Sequence, residues 1–305
     1  MRNLARSFTV FLISIFLNGC TQVYEKKDKL YIVATTGILA DVVKNIVKDS
    51  AYVQAIMGAG VDPHVYKASQ GDLKEFLQAD IIIYGGLHLE GKLTEVLKKL
   101  SRTKPVLGVG DELPKALIRT DSSFATAVDP HIWFDVKIWA EVVELTAKRI
   151  ISLDKKRENF YRANADSYIK QLLLLDKEVS DMIHTIPPHK RVMITAHDAF
   201  NYFGNAYNIE VMGLQGISTT AEFGLRDVSN LVNFILKRQI RAIFLETSVS
   251  DRAIKAVIAG VNEKGGKLLI GGNLFSDAMG ASGTPEGTYI GMVKHNVETI
   301  VKALK

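Results

Sequence analysis

A long segment without glycine or proline, from Val136 to Ile186, constrains the fold more than any other feature of the chain. It is rich in Lys, Glu, Leu and Ala, which all favour the helical state, so we expect it to be largely helical. Its second part, 157–186, repeats apolar residues at helical spacing and would run about 45 Å at the usual rise per residue. Pro187-Pro188 ends it. A stiff helix of this length would connect two separate parts of the protein.

On either side of this segment, short apolar runs of strand type alternate with stretches of helical periodicity. Such alternation predicts parallel sheets covered by helices. We therefore expect an α/β fold of two similar lobes, with parallel-type sheets flanked by helices, joined by one long backbone helix. The predicted strands are 30–34, 52–57, 81–84, 105–109, 191–195, 210–214, 242–246 and 267–271, and the first-half helices are 38–47, 69–78 and 93–100.

The amino terminus has the pattern of a secretory signal. Arg2 and Arg6 precede an apolar run, Ser7 to Leu17, that is too short to span a bilayer. Cys20, the sole cysteine, follows Asn18-Gly19 where a bacterial lipoprotein signal places its lipidated residue, although a cleaved signal with a chance cysteine fits the same pattern. We expect an exported protein, in a periplasm or on the outer cell surface, anchored through Cys20.

These boundaries predict five segments. They are a signal peptide at 1–19, a lipid-anchored tether at 20–29, an amino-terminal lobe at 30–155, a connecting helix at 156–186 and a carboxyl-terminal lobe at 187–305.

The charge pattern argues against nucleic-acid binding. The formal net charge is +5, and the basic residues are spread as pairs such as Lys98-Lys99 and Lys148-Arg149, without interleaved aromatic residues. A single cysteine also excludes a disulfide within the chain.

Two histidines occur in the same tripeptide, Asp-Pro-His, each in a loop before a helical stretch. They are His64, in Asp62-Pro63-His64, and His131, in Asp129-Pro130-His131. Proline fixes the backbone ahead of each ring, and the aspartate is placed to orient the imidazole as a metal ligand.

Two further residues follow predicted strands of the second half. His197 comes just after strand 191–195, and Asp277 lies in the loop after strand 267–271. Open α/β sheets bind their ligands at the carboxyl ends of strands. Any one of the four residues alone also fits a hydrogen-bonded loop or a turn cap. Three imidazoles and one carboxylate, two from each lobe, predict a site for Zn, Mn or Fe rather than for Ca or Mg.

In this order, the motifs resemble those of the TroA-like family of metal-binding lipoproteins, the substrate-binding components of bacterial ABC importers for zinc, manganese or iron. The resemblance covers nearly the whole mature chain. Besides the two Asp-Pro-His loops and the Asp277 loop, it rests on Ala34-Thr35-Thr36-Gly37, Gly86-Leu87-His88-Leu89-Glu90 and Thr195-Ala196-His197-Asp198-Ala199-Phe200.

The resemblance implies that His64 and His131 are the ligands from the amino-terminal lobe and that His197 and Asp277 are those from the carboxyl-terminal lobe. It implies one divalent transition-metal ion as cargo, a membrane permease with its cytoplasmic ATPase as partner, and a monomer. Members that prefer manganese often have a glutamate where His197 stands, and zinc-dedicated members often carry a His-rich loop that this chain lacks. The metal therefore stays open among Zn, Mn and Fe.

Two other functions compete with transport. A secreted metal-dependent hydrolase could use the same residues, with Asp198 or Glu246 as a base, but four protein ligands leave little room for water and no HExxH or GxSxG motif is present. We expect no enzyme. A surface adhesin is compatible with metal transport.

Because imidazoles must be neutral to bind a metal ion, we expect metal affinity to fall as the pH drops through roughly 6 to 5.

Overall fold

The computed structural model describes residues 29–120, 128–221 and 223–305. The predicted signal peptide, Cys20 and most of the tether lie outside the described residues, so what was predicted for them stays a prediction. Within the described ranges, no helix has both the length and the apolar character needed to cross a bilayer.

The amino-terminal lobe is built on a four-stranded parallel sheet whose order is β2-β1-β3-β4. The central strand carries Ile32, Val33 and Ala34, which are fully buried because helices cover both faces. The elements are β1 (Tyr31–Thr36), α1 (Gly37–Val47), β2 (Tyr52–Met57), α2 (Gln70–Gln78), β3 (Ile81–Tyr84), α3 (Thr94–Leu100) and β4 (Val106–Gly108).

The glycine- and proline-free segment forms two helices, α4 (Val136–Leu153) and α5 (Glu158–His184), so the prediction that it is largely helical is confirmed. A short turn at Lys155–Arg157 separates them. The Asp154 carboxylate stabilises this turn, because it accepts hydrogen bonds from Arg157 at 2.7 Å and from the Tyr161 hydroxyl at 2.8 Å. The 27-residue α5 is the long helix that joins the lobes.

The carboxyl-terminal lobe repeats the alternation of strand and helix. β5 pairs in parallel with β6, β7 pairs in parallel with β8, and β5 lies beside β7. The elements are β5 (Val192–His197), α6 (Asn201–Tyr207), β6 (Glu210–Gln215), α7 (Leu225–Arg238), β7 (Ala242–Glu246), α8 (Arg252–Glu263), β8 (Leu269–Leu274) and α9 (Tyr289–Leu304).

Several predicted strand bounds were wrong by one to three residues, and the ends of β5 and β8 are the two that lie next to predicted site residues. β5 continues through His197, so this histidine is the last residue of the strand rather than a residue beyond it. β8 runs to Leu274 although the sequence predicted an end at Gly271. Glycine usually weakens a strand, but Gly272 has φ 146° at an irregularity in the β7–β8 register, and a Cβ there would lie 2.4 Å from Cγ2 of Thr299, so only glycine fits this position.

One hydrophobic core spans both lobes. It includes Val42 of α1, Trp139 of α4, Tyr168 of α5, Phe200 at the start of α6 and Tyr289 of α9. Two smaller cores are each confined to one lobe, one between β1, β3 and helices α2 and α3, and the other between β5, β7 and helices α7 and α8. The lobes are therefore held together along their helical side.

We predict that Leu172→Ala lowers the free energy of unfolding by about 2–5 kcal/mol, because Leu172 of α5 is fully buried in the shared core and the substitution leaves a cavity. Leu174→Ala is the matched control. That side chain is 70% exposed on the same helix, so its loss should change stability by about 0.5 kcal/mol or less. Urea unfolding followed by circular dichroism measures both. Equal destabilisation by the two variants would contradict the packing described here.

Candidate metal centre

Four side chains that the sequence singled out lie together between the lobes: His64, His131, His197 and Asp277. Each offers one ligand atom, and these atoms all lie within 4.8 Å of one another. All four residues are buried. The structure thus brings together every residue of the predicted metal site.

Each of the four residues stands at or beyond the end of a strand, or directly before a helix. His64 lies in the loop after β2, and His131 immediately precedes the short helical turn Ile132–Phe134 that leads into α4. His197 ends β5, and Asp277 follows β8. Because parallel strands end at one edge of their sheet, the sheets of the two lobes place the residues at their strand ends, His64, His197 and Asp277, at a common cleft.

Several distances between the donor atoms are close to the edge of a tetrahedron around one ion. The Nε2 atoms of His64 and His131 are 3.3 Å apart, and Asp277 lies 3.4 Å from His131 Nε2 and 3.3 Å from His197 Nε2. The separation from His64 Nε2 to Asp277 Oδ2 is longer, at 3.9 Å. A four-coordinate ion with ligands at 2.0–2.1 Å would have edges of roughly 3.4 Å.

Two carboxylates orient two of the rings. Asp129 Oδ1 lies 2.7 Å from Nδ1 of His131, which confirms for this motif the prediction that the aspartate orients the ring of the following histidine. Glu246 Oε2 lies 2.5 Å from Nδ1 of His197, and Glu246 Oε1 accepts the backbone N–H of His197 at 2.9 Å. Each carboxylate holds the Nδ1 side of its ring, so that Nε2 faces the centre, which is a common arrangement around metal ligands.

Sequence analysis did not predict that Glu246 orients His197, and suggested this residue only as a possible base. The feature that could have indicated the orienting role is the position of Glu246 as the last residue of β7. That β7 lies beside β5 is a matter of sheet order, which local periodicity does not encode. Asp198, the other possible base, accepts a hydrogen bond from Asn201 at 2.9 Å.

The Asp62 carboxylate is used differently from that of Asp129. Its Oδ1 accepts the backbone N–H of His64 at 2.8 Å, and its Oδ2 accepts the hydroxyl of Thr219, from the other lobe, at 2.6 Å. The prediction that both aspartates orient the ring of the following histidine is therefore confirmed for Asp129 and wrong for Asp62.

Burial and neighbouring charges give the buried groups of the centre very different pKa values. Burial lowers the pKa of His64 to about 4. Burial also opposes a charge on His131, but Asp129 and Asp277 outweigh it and raise its pKa to about 9. Burial opposes a charge on His197 in the same way, and Glu246 and Asp277 raise its pKa well above the usual range. Burial disfavours the charged form of Asp277, yet the imidazoles hold its pKa well below normal.

The surroundings of Asp277 therefore stabilise positive charge next to this carboxylate. Neither oxygen of that carboxylate accepts a well-formed hydrogen bond from any described group, and its near neighbours are imidazole nitrogens. A buried carboxylate without such compensation is costly. A divalent cation would supply the missing charge and take the place of the protons on the rings.

His88 takes no part in this centre. It is exposed and lies in a turn where Gly86, Leu87 and His88 all have positive φ.

The chain matches a protein-family model over residues 32–303, and this family is described as ZnuA, zinc-uptake complex component A, periplasmic. Among its curated relatives, the manganese-binding lipoprotein MntA of Bacillus subtilis (strain 168) is 44% identical, over 97% of each chain. The manganese ABC transporter substrate-binding lipoprotein PsaA of Streptococcus mitis is 30% identical, over 100% of this chain and 99% of PsaA.

The fold also matches a solved structure, the periplasmic zinc-binding protein TroA from Treponema pallidum. The TM-score is 0.88 at 42% sequence identity, and the match covers 90% of this chain and 99% of TroA. The predicted fold of two α/β lobes joined by a long helix is thereby confirmed.

We predict that the pKa values of the His64 and His131 rings lie on opposite sides of the ordinary imidazole value in metal-free protein. His64 should stay neutral until the pH falls to about 4, because burial disfavours its charge, and His131 should stay protonated up to about pH 9, because of Asp129. Imidazole nitrogen shifts in an NMR titration of chelator-treated protein measure both, with His64→Gln to assign the signals. Ordinary titration of both rings near pH 6.5 would contradict this electrostatic account.

Proposed function

Because the chain belongs to the family of zinc-uptake complex component A, we propose that it captures one divalent transition-metal ion outside the cytoplasm and delivers it to an ABC importer. The observation that carries this proposal is the convergence of three imidazoles and one carboxylate, with ligand atoms within 4.8 Å of one another, in a buried cleft. We assign His64, His131, His197 and Asp277 as the ligands.

The donor set is consistent with Zn, Mn or Fe. Three imidazoles favour transition metals over Ca and Mg, and the four-donor spacing fits tetrahedral zinc. Manganese is also accommodated if Asp277 binds through both oxygens, which both face the histidine cluster. The relatives' names divide in the same way, since MntA and PsaA are named for manganese and TroA for zinc.

The centre is suited to holding an ion rather than to catalysis. A catalytic zinc site keeps one position open for water or substrate. Here four buried protein donors would be available to one ion, and both ring-orienting carboxylates already lie against Nδ1 atoms. We therefore propose a transport protein without enzymatic activity.

The remaining parts of the proposal concern location and partners. We propose that Cys20 carries a lipid anchor and that the protein works as a monomer at a membrane permease driven by a cytoplasmic ATPase. The signal-like start of the sequence supports this, as do the lipoprotein names of MntA and PsaA.

The mechanism of metal capture follows from the fact that each lobe supplies two of the four ligands. His64 and His131 belong to the amino-terminal lobe, while His197 and Asp277 belong to the carboxyl-terminal lobe. An ion that completes its shell only when the lobes meet binds the closed form more tightly than the open form, and so it shifts the protein towards closure. Because the lobes share a core along their helices, we expect this closure to be small.

We predict that mature protein purified without added metal or chelator contains about one Zn, Mn or Fe per chain. His64→Ala, His197→Ala and Asp277→Ala should each lose most of this metal, because each removes one of the four donors. His189→Ala is the control, since this histidine is exposed and lies outside the cluster. Elemental mass spectrometry gives the metal content, and circular dichroism checks folding. Folded wild-type protein that neither contains nor takes up Zn or Mn would refute the proposed function.

We also predict that metal binding releases protons at neutral pH. A group with its pKa above the working pH is protonated in the empty site, and the metal must displace that proton. His131, with its pKa raised to about 9, and His197, with its pKa raised well above normal, both meet this condition. Affinity should therefore begin to fall below about pH 9, earlier than the unperturbed imidazole suggests. Calorimetry at pH 7 in buffers of different ionisation enthalpy counts the protons. Zero protons released would contradict the prediction.

A further inference from the structure

A single carboxylate connects the loop that carries His64 to the opposite lobe. Asp62 Oδ1 accepts the backbone N–H of His64 at 2.8 Å, and Asp62 Oδ2 accepts the Thr219 hydroxyl at 2.6 Å. Both residues are partly buried. Any displacement of the Thr219 loop away from the amino-terminal lobe breaks this hydrogen bond, while the link from Asp62 to His64 stays within one loop.

The second Asp-Pro-His motif shows what Asp62 does not do. Asp129 uses the same oxygen for the backbone N–H and for the ring of His131, at 2.9 and 2.7 Å. Asp62 makes the same backbone contact but directs its other oxygen across the cleft. Identical tripeptides thus perform two tasks. One aspartate orients a ligand, and the other joins the lobes.

The position of this bond determines its effect on movement. The lobes are already held together on the helical side by the shared core, and at the ligand loops by a buried hydrogen bond from Trp133 Nε1, beside His131, to the carbonyl of Ser276, at 3.0 Å. The Asp62 loop instead meets loops of the other lobe. A Cβ on Gly60 would lie 3.6 Å from the carbonyl of Thr247, which marks a second close approach beside the Thr219 contact. Opening of the cleft at these loops must break the Asp62–Thr219 bond.

We propose that Asp62 and Thr219 form a latch that slows the release of bound metal by holding the cleft closed. The proposal rests on the proposed metal-binding function. Thr219 is not one of the four donors, so it is a positioning residue that acts through Asp62 and the His64 loop. A hydrogen bond to a carboxylate is among the stronger kinds, and partial exposure reduces its effect.

The test is the rate at which Zn²⁺ leaves loaded protein, measured by stopped flow with an excess of a chromogenic chelator. Thr219→Val removes the hydroxyl at nearly constant shape, and we expect it to raise the dissociation rate about 5- to 10-fold. Thr219→Ser keeps the hydroxyl and should restore the rate to within about twofold of wild type. Thr220→Val is the matched control, because the Thr220 hydroxyl contacts only Ser218 of its own loop in the described hydrogen bonds.

A second measurement separates a latch from a general loss of structure. Thr219→Val should leave the melting temperature of metal-free protein unchanged. In the Asp62→Ala background it should add almost nothing to the dissociation rate, because the two residues share one bond.

Equal dissociation rates for loaded wild type and Thr219→Val would overturn the latch and leave the proposed function intact. An increase that Thr219→Ser fails to reverse, or that Thr220→Val reproduces, would also overturn it. A wild-type protein that takes up no Zn²⁺ would overturn the proposed function and the latch together.

Discussion

Asp277 is a carboxylate with almost no access to water, and the rest of the structure compensates its charge. Three imidazoles surround it, and two of these are held by further carboxylates, Asp129 and Glu246. Burying one negative charge is costly, and burying three in the same small region is more so unless positive charge accompanies them. Protons on His131 and His197 would supply that charge in metal-free protein, and a divalent cation can supply it in their place. The affinity for a cation follows from this electrostatic demand.

The positions of the four donor side chains depend on where the strands end and on how the helices pack. Parallel sheets end their strands at one edge, and two such edges face each other across the cleft. The core that runs through α1, α4, α5 and α9 fixes the two sheets relative to each other. Precise placement of donors from distant parts of the chain therefore depends on the packing of helices that contribute no ligand. The same packing limits how far the lobes can separate, which favours a small closing movement at the loops.

The two Asp-Pro-His loops show that the same tripeptide has different roles in different tertiary surroundings. In both, the aspartate accepts the backbone N–H of the histidine, so the local turn follows from the tripeptide itself. The second partner differs, because Asp129 meets its own histidine ring and Asp62 meets Thr219 of the other lobe. Local sequence specifies the turn, and the neighbouring lobe determines whether the carboxylate orients a ring or joins two lobes.

The sequence by itself determined the repeating secondary structure, with β2, β3 and β7 predicted residue for residue, and it identified His64, His131, His197 and Asp277 as one set. These features depend on short-range periodicity and on residue type at strand ends. Only the tertiary structure decided that β7 lies beside β5, which brings Glu246 to His197, and that Thr219 reaches Asp62. Such contacts join residues far apart in the chain. They depend on strand order and on the packing of the lobes, which local sequence patterns do not encode.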